Sequence, residues 1–155
     1  MKLLIVGLGS MGKRRARLCK GIDAATQIIG VDTAESRRRE AAELQLADET
    51  CATIAEASAL HPDAALVCTA PLTHAAIISE LLDCGLPVFT ELNLVSDGYT
   101  ENMAKAAAKN LPLFLSSTML YRRETQYIKA QVQQFGKPVH YIYHIGQYLP
   151  DWHPW

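Results

Sequence analysis

The stretch VGLGSMGKRR, Val6–Arg15, decides the fold of this chain. Its glycines Gly7, Gly9 and Gly12 follow directly on the apolar run KLLIV (Lys2–Val6) and open a segment of helical character from Met11 to about Lys20. An unbroken, β-rich apolar run is what a strand buried on both faces looks like. In a strand–turn–helix of this kind the first glycine permits the tight turn, the second lets the backbone approach a pyrophosphate, and the third lets the helix pack closely on the sheet. The turn Gly7, Leu8, Gly9, Ser10, Met11 and Gly12 therefore reads as a phosphate cradle, with the N–H groups at the helix start facing the ligand. A glycine pattern alone is weak evidence, and Asp32 gives it weight. Asp32 ends the next strand, QIIGVD (Gln27–Asp32), twenty residues past Gly12. There it accepts both hydroxyls of an adenosine ribose and repels a 2′-phosphate, which points to NAD.

The alternative is NADP. Arg37, first of the run Arg37–Arg39, lies just past the second strand, where an arginine holds a 2′-phosphate. The competing reading is a solvated helix face balanced by Glu35, Glu40 and Glu43. Lys13, Arg14, Arg15 and Arg17 are read as facing water for the most part, some screening the pyrophosphate.

Outward from this unit, short apolar runs keep alternating with helical patterns. After Asp32 comes a helix over AESRRREAAELQLA, a weak strand at CAT (Cys51–Thr53) and a short helix to Leu60. DAALVCTA (Asp63–Ala70) is a strand, Thr73–Cys84 an amphipathic helix stopped by Gly85, and PVFTE (Pro87–Glu91) a strand. A helix from Asp97 to about Lys109, the strand PLFLSS (Pro112–Ser117) and a helix from Tyr121 to Phe135 follow. Strands alternating with helices imply right-handed crossovers, hence a doubly wound α/β domain with a parallel sheet covered on both faces, over residues 1–136. KPVHYIYHIGQYL (Lys137–Leu149) breaks the pattern, with period-two alternation along Val139, Tyr141, Tyr143 and Ile145. It reads as the first strand and tail, over 137–155, of an incomplete second domain with an antiparallel sheet, and as an edge through which copies of the chain could pair.

The totals agree with one domain that has a real core. The chain has 155 residues, 49% hydrophobic and 20% charged, with a net charge of −1. Near-neutrality gives no bulk electrostatic case for nucleic acid or an anionic membrane, and no apolar run approaches the length of a span. Cys19, Cys51, Cys68 and Cys84 are widely spaced, with no C-x-x-C, and read as structural thiols rather than a metal site. Reduced thiols place the chain in the cytoplasm.

Two further stretches end strands where open α/β sheets bind ligands. CTAPLTH (Cys68–His74) ends the fourth, offering Thr69, Ala70, Pro71 and His74 to the cofactor; FTELN (Phe89–Asn93) ends the fifth, with Glu91 placed to hold the nicotinamide ribose or to cap a neighbouring loop.

The succession GLGSMG, TAPLTH and PVFTELNL resembles the N-terminal half of the Gfo/Idh/MocA oxidoreductases, the group of glucose–fructose oxidoreductase and inositol dehydrogenase. The resemblance implies a Rossmann domain that binds NAD or NADP, followed by a second α/β domain whose sheet forms the substrate wall and often the dimer face. It implies a sugar- or polyol-like substrate. The family's third motif is Glu-Lys-Pro, its lysine standing near the transferred hydride. Here the glutamate matches Glu91, but the lysine position is Leu92 and the proline position Asn93. Leucine neither donates nor accepts a proton. The catalytic residues are thus not assigned. Two functions compete: the cofactor-binding half of an oxidoreductase, inactive alone, and a dinucleotide-binding module with a regulatory or partner-binding role. A methyltransferase also uses a glycine loop and an acid after the second strand, but TAPLTH and FTEL argue against it. The tail GQYLPDWHPW, with Asp151, Trp152, His153 and Trp155, is read as the doorway to the second domain and not as the family's catalytic pair.

Overall fold

In the computed structural model, which describes residues 1–92, 96–142 and 144, strand β1 (Lys2–Val6) runs through the middle of the sheet. Leu4 and Ile5 are fully buried on its opposite faces, the reason its sequence shows no polar alternation. The glycine turn leads into α1 (Ser10–Ile22), and β2 (Gln27–Val31), α2 (Glu35–Glu43), β3 (Glu49–Cys51) and α3 (Ile54–Ser58) complete the first half. β4 (Ala64–Val67), α4 (His74–Asp83), β5 (Val88–Thr90), α5 (Tyr99–Ala108) and β6 (Leu113–Leu115) form the second. The six strands pair in parallel in the order β3-β2-β1-β4-β5-β6. The doubly wound fold expected from the sequence is the fold observed.

Two apolar layers sandwich the sheet. Leu3, Ile5, Leu8, Ile28 and Leu66 pack with Ala16 of α1 and Ala41 of α2 on one face. Leu4, Val6, Ile29, Val67 and Val88 pack with Ile54, Ile78, Leu81, Leu82 and Ala106 of α3, α4 and α5 on the other. The chain therefore changes faces between β3 and β4. β1 and β4, neighbours in the sheet, send their following segments to opposite sides, opening a crevice at their carboxyl ends.

Local chemistry shifted some boundaries. β3 begins two residues before the expected CAT strand, because Ala52 and Thr53 are engaged in starting α3. The Thr53 hydroxyl accepts the Glu56 N–H at 3.2 Å and the Glu56 carboxylate accepts the Ala52 N–H at 2.9 Å, close to a capping box. α2 stops at Glu43 rather than running to Ala47, since Gln45 takes a left-handed φ of 54° and turns Leu46 and Ala47 into the core.

Asp48 fastens the approach to β3. One carboxylate oxygen accepts the Ile28 N–H at 2.7 Å; the other accepts from Lys20 Nζ of α1 at 2.9 Å. Partial burial raises its pKa, but these donors outweigh it and hold the carboxyl below its ordinary value. A depressed carboxylate stabilises the fold above its unfolded pKa of about 4, and the stabilisation is lost as pH falls through the lower folded value. Asp48→Asn is thus expected to cost about 0.5–1 kcal/mol at neutral pH, discounted for its exposure. Thermal melts of both proteins should converge as the pH drops below about 4; a gap that persists in acid would refute this.

Cα packing divides the chain into two compact units, Met1–Ser117 and Thr118–Trp155. In the second, a 3-10 turn at Thr118–Tyr121 precedes α6 (Arg123–Phe135). The Gln126 amide donates to the Leu120 carbonyl, and Gly136, at φ 65°, closes the helix with its N–H on Val132. The strand expected from Lys137 is not formed in residues 137–142 or at 144. Alternation supplies the side-chain pattern of a strand but not the neighbouring row of N–H and C=O groups a ladder needs. Tyr143 and residues 145–155, including Asp151, Trp152, His153 and Trp155, lie outside the described residues. Among the described residues no helix is long and apolar enough to cross a membrane.

Candidate functional site

Parallel strands align their carboxyl ends, and the ladder carries this alignment past the last strand residue. Gly7 donates to Val31 at 2.7 Å, Cys68 to Val6 at 2.8 Å, Glu91 to Val67 at 3.0 Å and Ser116 to Thr90 at 2.8 Å. One edge of the sheet thereby gathers the glycine turn, Asp32, Thr69, Glu91 and Ser116.

The glycine turn is built for contact on one side and access on the other. Gly7 adopts φ 93°, a left-handed conformation glycine alone takes without strain, and a Cβ there would sit 2.8 Å from the Thr69 methyl and 2.9 Å from the Cys68 carbonyl. A Cβ on Gly12 would fall 1.8 Å from the Gly7 carbonyl oxygen, so the helix rests directly on the turn. Around Gly9 there is nothing within 4 Å of a Cβ: its outer face is open. Gly9 is the N-cap of α1, and no side chain caps the helix start. Ser10 is exposed and Met11 half-buried, whereas Leu8 is 1% exposed. Leu8 offers its backbone: its N–H donates to Asp32 Oδ2 at 2.9 Å.

Asp32 is buried, and its second oxygen accepts the Ala34 N–H at 2.9 Å. Oδ1 has room for another donor, so these bonds orient the group without exhausting it. Arg37 stands with Nη1 3.5 Å from Oδ2, its side chain mostly exposed. Arg38 turns back onto the carbonyls of Asp32, at 2.6 Å, and Thr33, at 3.0 Å. The arginine run is therefore not simply a solvated face balanced by glutamates; Glu40 pairs instead with Lys13 of α1 at 2.5 Å.

After β4, Thr69 is half-buried, Ala70 exposed and Pro71 half-buried at the head of a 3-10 turn, Pro71–Thr73. His74 faces inward and is 1% exposed. Its Nε2 lies 3.0 Å from the Thr69 carbonyl, which only accepts, so that nitrogen carries the proton; Nδ1 lies 3.4 Å from the Thr90 hydroxyl. His74 thus ties the ends of β4 and β5 together beneath the site. Cys68, beside Thr69, has its thiol pushed up to about 12 by burial, with Glu91 adding to the effect, and is no thiolate nucleophile.

At the far end of the edge the structure brings in a residue that its charge alone had assigned to water. Arg15 of α1 reaches across to β5, its Nε donating to Glu91 Oε1. Its Nη2 lies 3.3 Å from Ser116 Oγ, and its guanidinium carbon 5.2 Å from the Phe89 ring centre. Phe89 in turn stacks on Phe114, the centroids 5.6 Å apart. Leu92, at the lysine position, is 56% exposed and offers no polar atom. A cleft of about 220 Å³ lined by Ile78, Thr90, Asn102 and Leu113 lies on the α4–α5 face and shares no residue with the glycine turn.

The comparisons agree with this architecture. Residues 1–115 match the family model "Oxidoreductase family, NAD-binding Rossmann fold" of the Gfo/Idh/MocA group. Among solved structures, a probable dehydrogenase from Thermotoga maritima superposes with a TM-score of 0.77 at 23% identity, over 88% of this chain and 42% of its own. The apo scyllo-inositol dehydrogenase from Lactobacillus casei gives 0.77 at 21%, over 88% and 42%. The WlbA dehydrogenase from Bordetella pertussis, in complex with NADH and UDP-GlcNAcA, gives 0.79 at 16%, over 86% and 41%. At these identities the likeness speaks for the fold alone, and the chain spans about two fifths of each of these proteins. No curated protein sequence matches. With the family model covering most of its length on top of the glycine turn, Asp32 and the sheet order, the chain belongs to the Gfo/Idh/MocA oxidoreductase family and carries that family's NAD-binding Rossmann domain.

Proposed function

We propose that this chain is the cofactor-binding half of an oxidoreductase that uses NAD and acts on a sugar- or polyol-like substrate. The observation that carries the reading is the glycine turn itself. It is packed solid at Gly7 and Gly12, open at Gly9, and tied through the Leu8 N–H to the carboxylate of Asp32. In this reading the turn residues Gly7–Gly12 seat the pyrophosphate, Asp32 takes the adenosine ribose, and Thr69, Ala70 and Pro71 line the middle of the dinucleotide. Glu91 faces the nicotinamide ribose. His74, with both ring nitrogens engaged, positions these ends rather than touching the cofactor. Bound NAD supplies the hydride acceptor. The substrate class is drawn from the similar structures, which include an inositol dehydrogenase and an enzyme crystallised with a nucleotide sugar. Residues 137–155 would begin the domain that walls in that substrate.

A second reading is a dinucleotide-binding module without turnover, favoured by one observation: position 92 presents an exposed leucine where the family's lysine would stand. Hydride transfer needs substrate held against the nicotinamide with an acid–base group in reach. Titration calorimetry of the 155-residue chain with NAD and NADP, followed by oxidation assays on polyols, sugars and nucleotide sugars, tests both readings. The expected result is saturable NAD binding, weaker NADP binding and no turnover. No binding of either dinucleotide would overturn both, and sustained NADH formation would eliminate the second.

A further inference from the structure

Glu91 has a dedicated partner, and that partner comes from a distant element. Arg15 sits one turn into α1, 76 residues before Glu91 and 101 before Ser116, yet its guanidinium bonds to both. The Phe89 ring lies beneath the guanidinium, 5.2 Å from its carbon to the ring centre, a cation–π contact that adds to the forked donors lysine could not supply. Both charged side chains are largely withdrawn from water, 22% exposed for Arg15 and 14% for Glu91. The Glu91 hydrogen bond leads the causes that raise the arginine's pKa, ahead of an opposing burial cost. Surface ion pairs rarely hold one geometry, whereas here three separate contacts restrain the arginine.

We propose that Arg15 is a positioning residue for the nicotinamide half of the site, acting through Glu91: it holds the Glu91 carboxylate at the carboxyl end of β5 so that its other oxygen meets the second ribose of the dinucleotide. The inference rests on the NAD-binding reading above. It assigns a task to a side chain outside the glycine pattern, beside a strand end where Leu92 brings no cation of its own. Glu91 Oε1 is taken by Arg15, and among the described residues no donor is bonded to Oε2, which can accept from a ribose hydroxyl.

Two ligands separate this role from a merely structural one. ADP carries the adenosine and the pyrophosphate but no second ribose; NADH carries all of them. For Arg15→Met in the full chain, NADH affinity is expected to fall about tenfold, the worth of one charge-assisted hydrogen bond, while ADP affinity stays within about twofold. Glu91→Gln should give the same split. The double variant should be no weaker for NADH than Glu91→Gln alone, because an arginine acting only through Glu91 has nothing left to hold. Arg15→Lys, which keeps the charge but not the fork, should recover part of the loss. Parallel losses for ADP and NADH would show that Arg15 merely supports the fold, and additive losses in the double variant would show that it acts independently of Glu91; either overturns the inference. An unchanged NADH affinity in Arg15→Met overturns it too, without touching the NAD-binding reading. Wild-type protein that binds neither ligand removes both.

Discussion

Gly12→Ala is expected to be the most damaging single substitution in the chain, and Gly9→Ala, three residues away, to leave the fold untouched. The new methyl group at position 12 would lie 1.8 Å from the Gly7 carbonyl oxygen, so either α1 must lift off the sheet or the turn must open. Overpacking of backbone against backbone cannot relax by changing a rotamer, and the cost is about 3 kcal/mol or more. For a chain of this size that corresponds to a melting temperature lower by about 6–12 °C. NAD affinity should drop at least a hundredfold, because the displaced helix no longer presents its first N–H groups to the phosphates. At position 9 the φ of −69° suits any residue and the space is empty. Gly9→Ala should melt within about 2 °C of the parent and still lose about tenfold in NAD affinity, since the methyl occupies the approach of the pyrophosphate. Calorimetry and thermal melts on the two variants decide the matter. A Gly9→Ala protein that binds NAD as the parent does would mean that the phosphates lie elsewhere.

Asp32→Ala is expected to damage both stability and cofactor choice. Removing the carboxylate strands the N–H groups of Leu8 and Ala34, and Leu8 is buried, so about 2–3 kcal/mol of stability should go with it. The ribose also loses its charged acceptor, and NAD affinity should fall about a hundredfold, equivalent to two charge-assisted hydrogen bonds. NADP should suffer less: the repulsion of its 2′-phosphate is gone and Arg37, already 3.5 Å from the vanished oxygen, is free to meet it. The quantity to measure is the ratio of NAD to NADP dissociation constants, parent against variant. A ratio that does not move towards NADP would contradict the placement of the ribose on Asp32.

The fold was largely legible in the sequence. The unbroken run at Lys2–Val6, the three glycines behind it and the acid ending the next strand specify backbone events, and those depend on residues close in sequence. Arg15 shows where such reading fails and what it overlooked. Gly12, Ala16 and Cys19 form the inward stripe of α1, at i, i+4 and i+7, and Arg15 at i+3 falls on the same stripe, unlike Lys13, Arg14 and Arg17. Helical phase marked it as turned towards the sheet; charge alone suggested water. Its partners could not be read, because residues 91 and 116 meet it only through the strand order. His74 is a different case: its place after a strand suggested contact with a ligand, and in the fold its buried imidazole joins two strand ends. Of the strand expected over Lys137–Leu149, the described residues 137–142 and 144 form none, because a ladder is a property of two segments.

The distances along the chain between paired groups also set a timetable. Leu8 and Asp32 are 24 residues apart, whereas Arg15 waits for partners 76 and 101 residues downstream. During synthesis the first contact can close while most of the sheet is still unmade, whereas the bond to Glu91 needs β5, and the bond to Ser116 needs β6, to have left the ribosome. A nascent chain halted before Ser116 would therefore have both partners of the Leu8–Asp32 and Arg15–Glu91 bonds and lack the third anchor of the guanidinium.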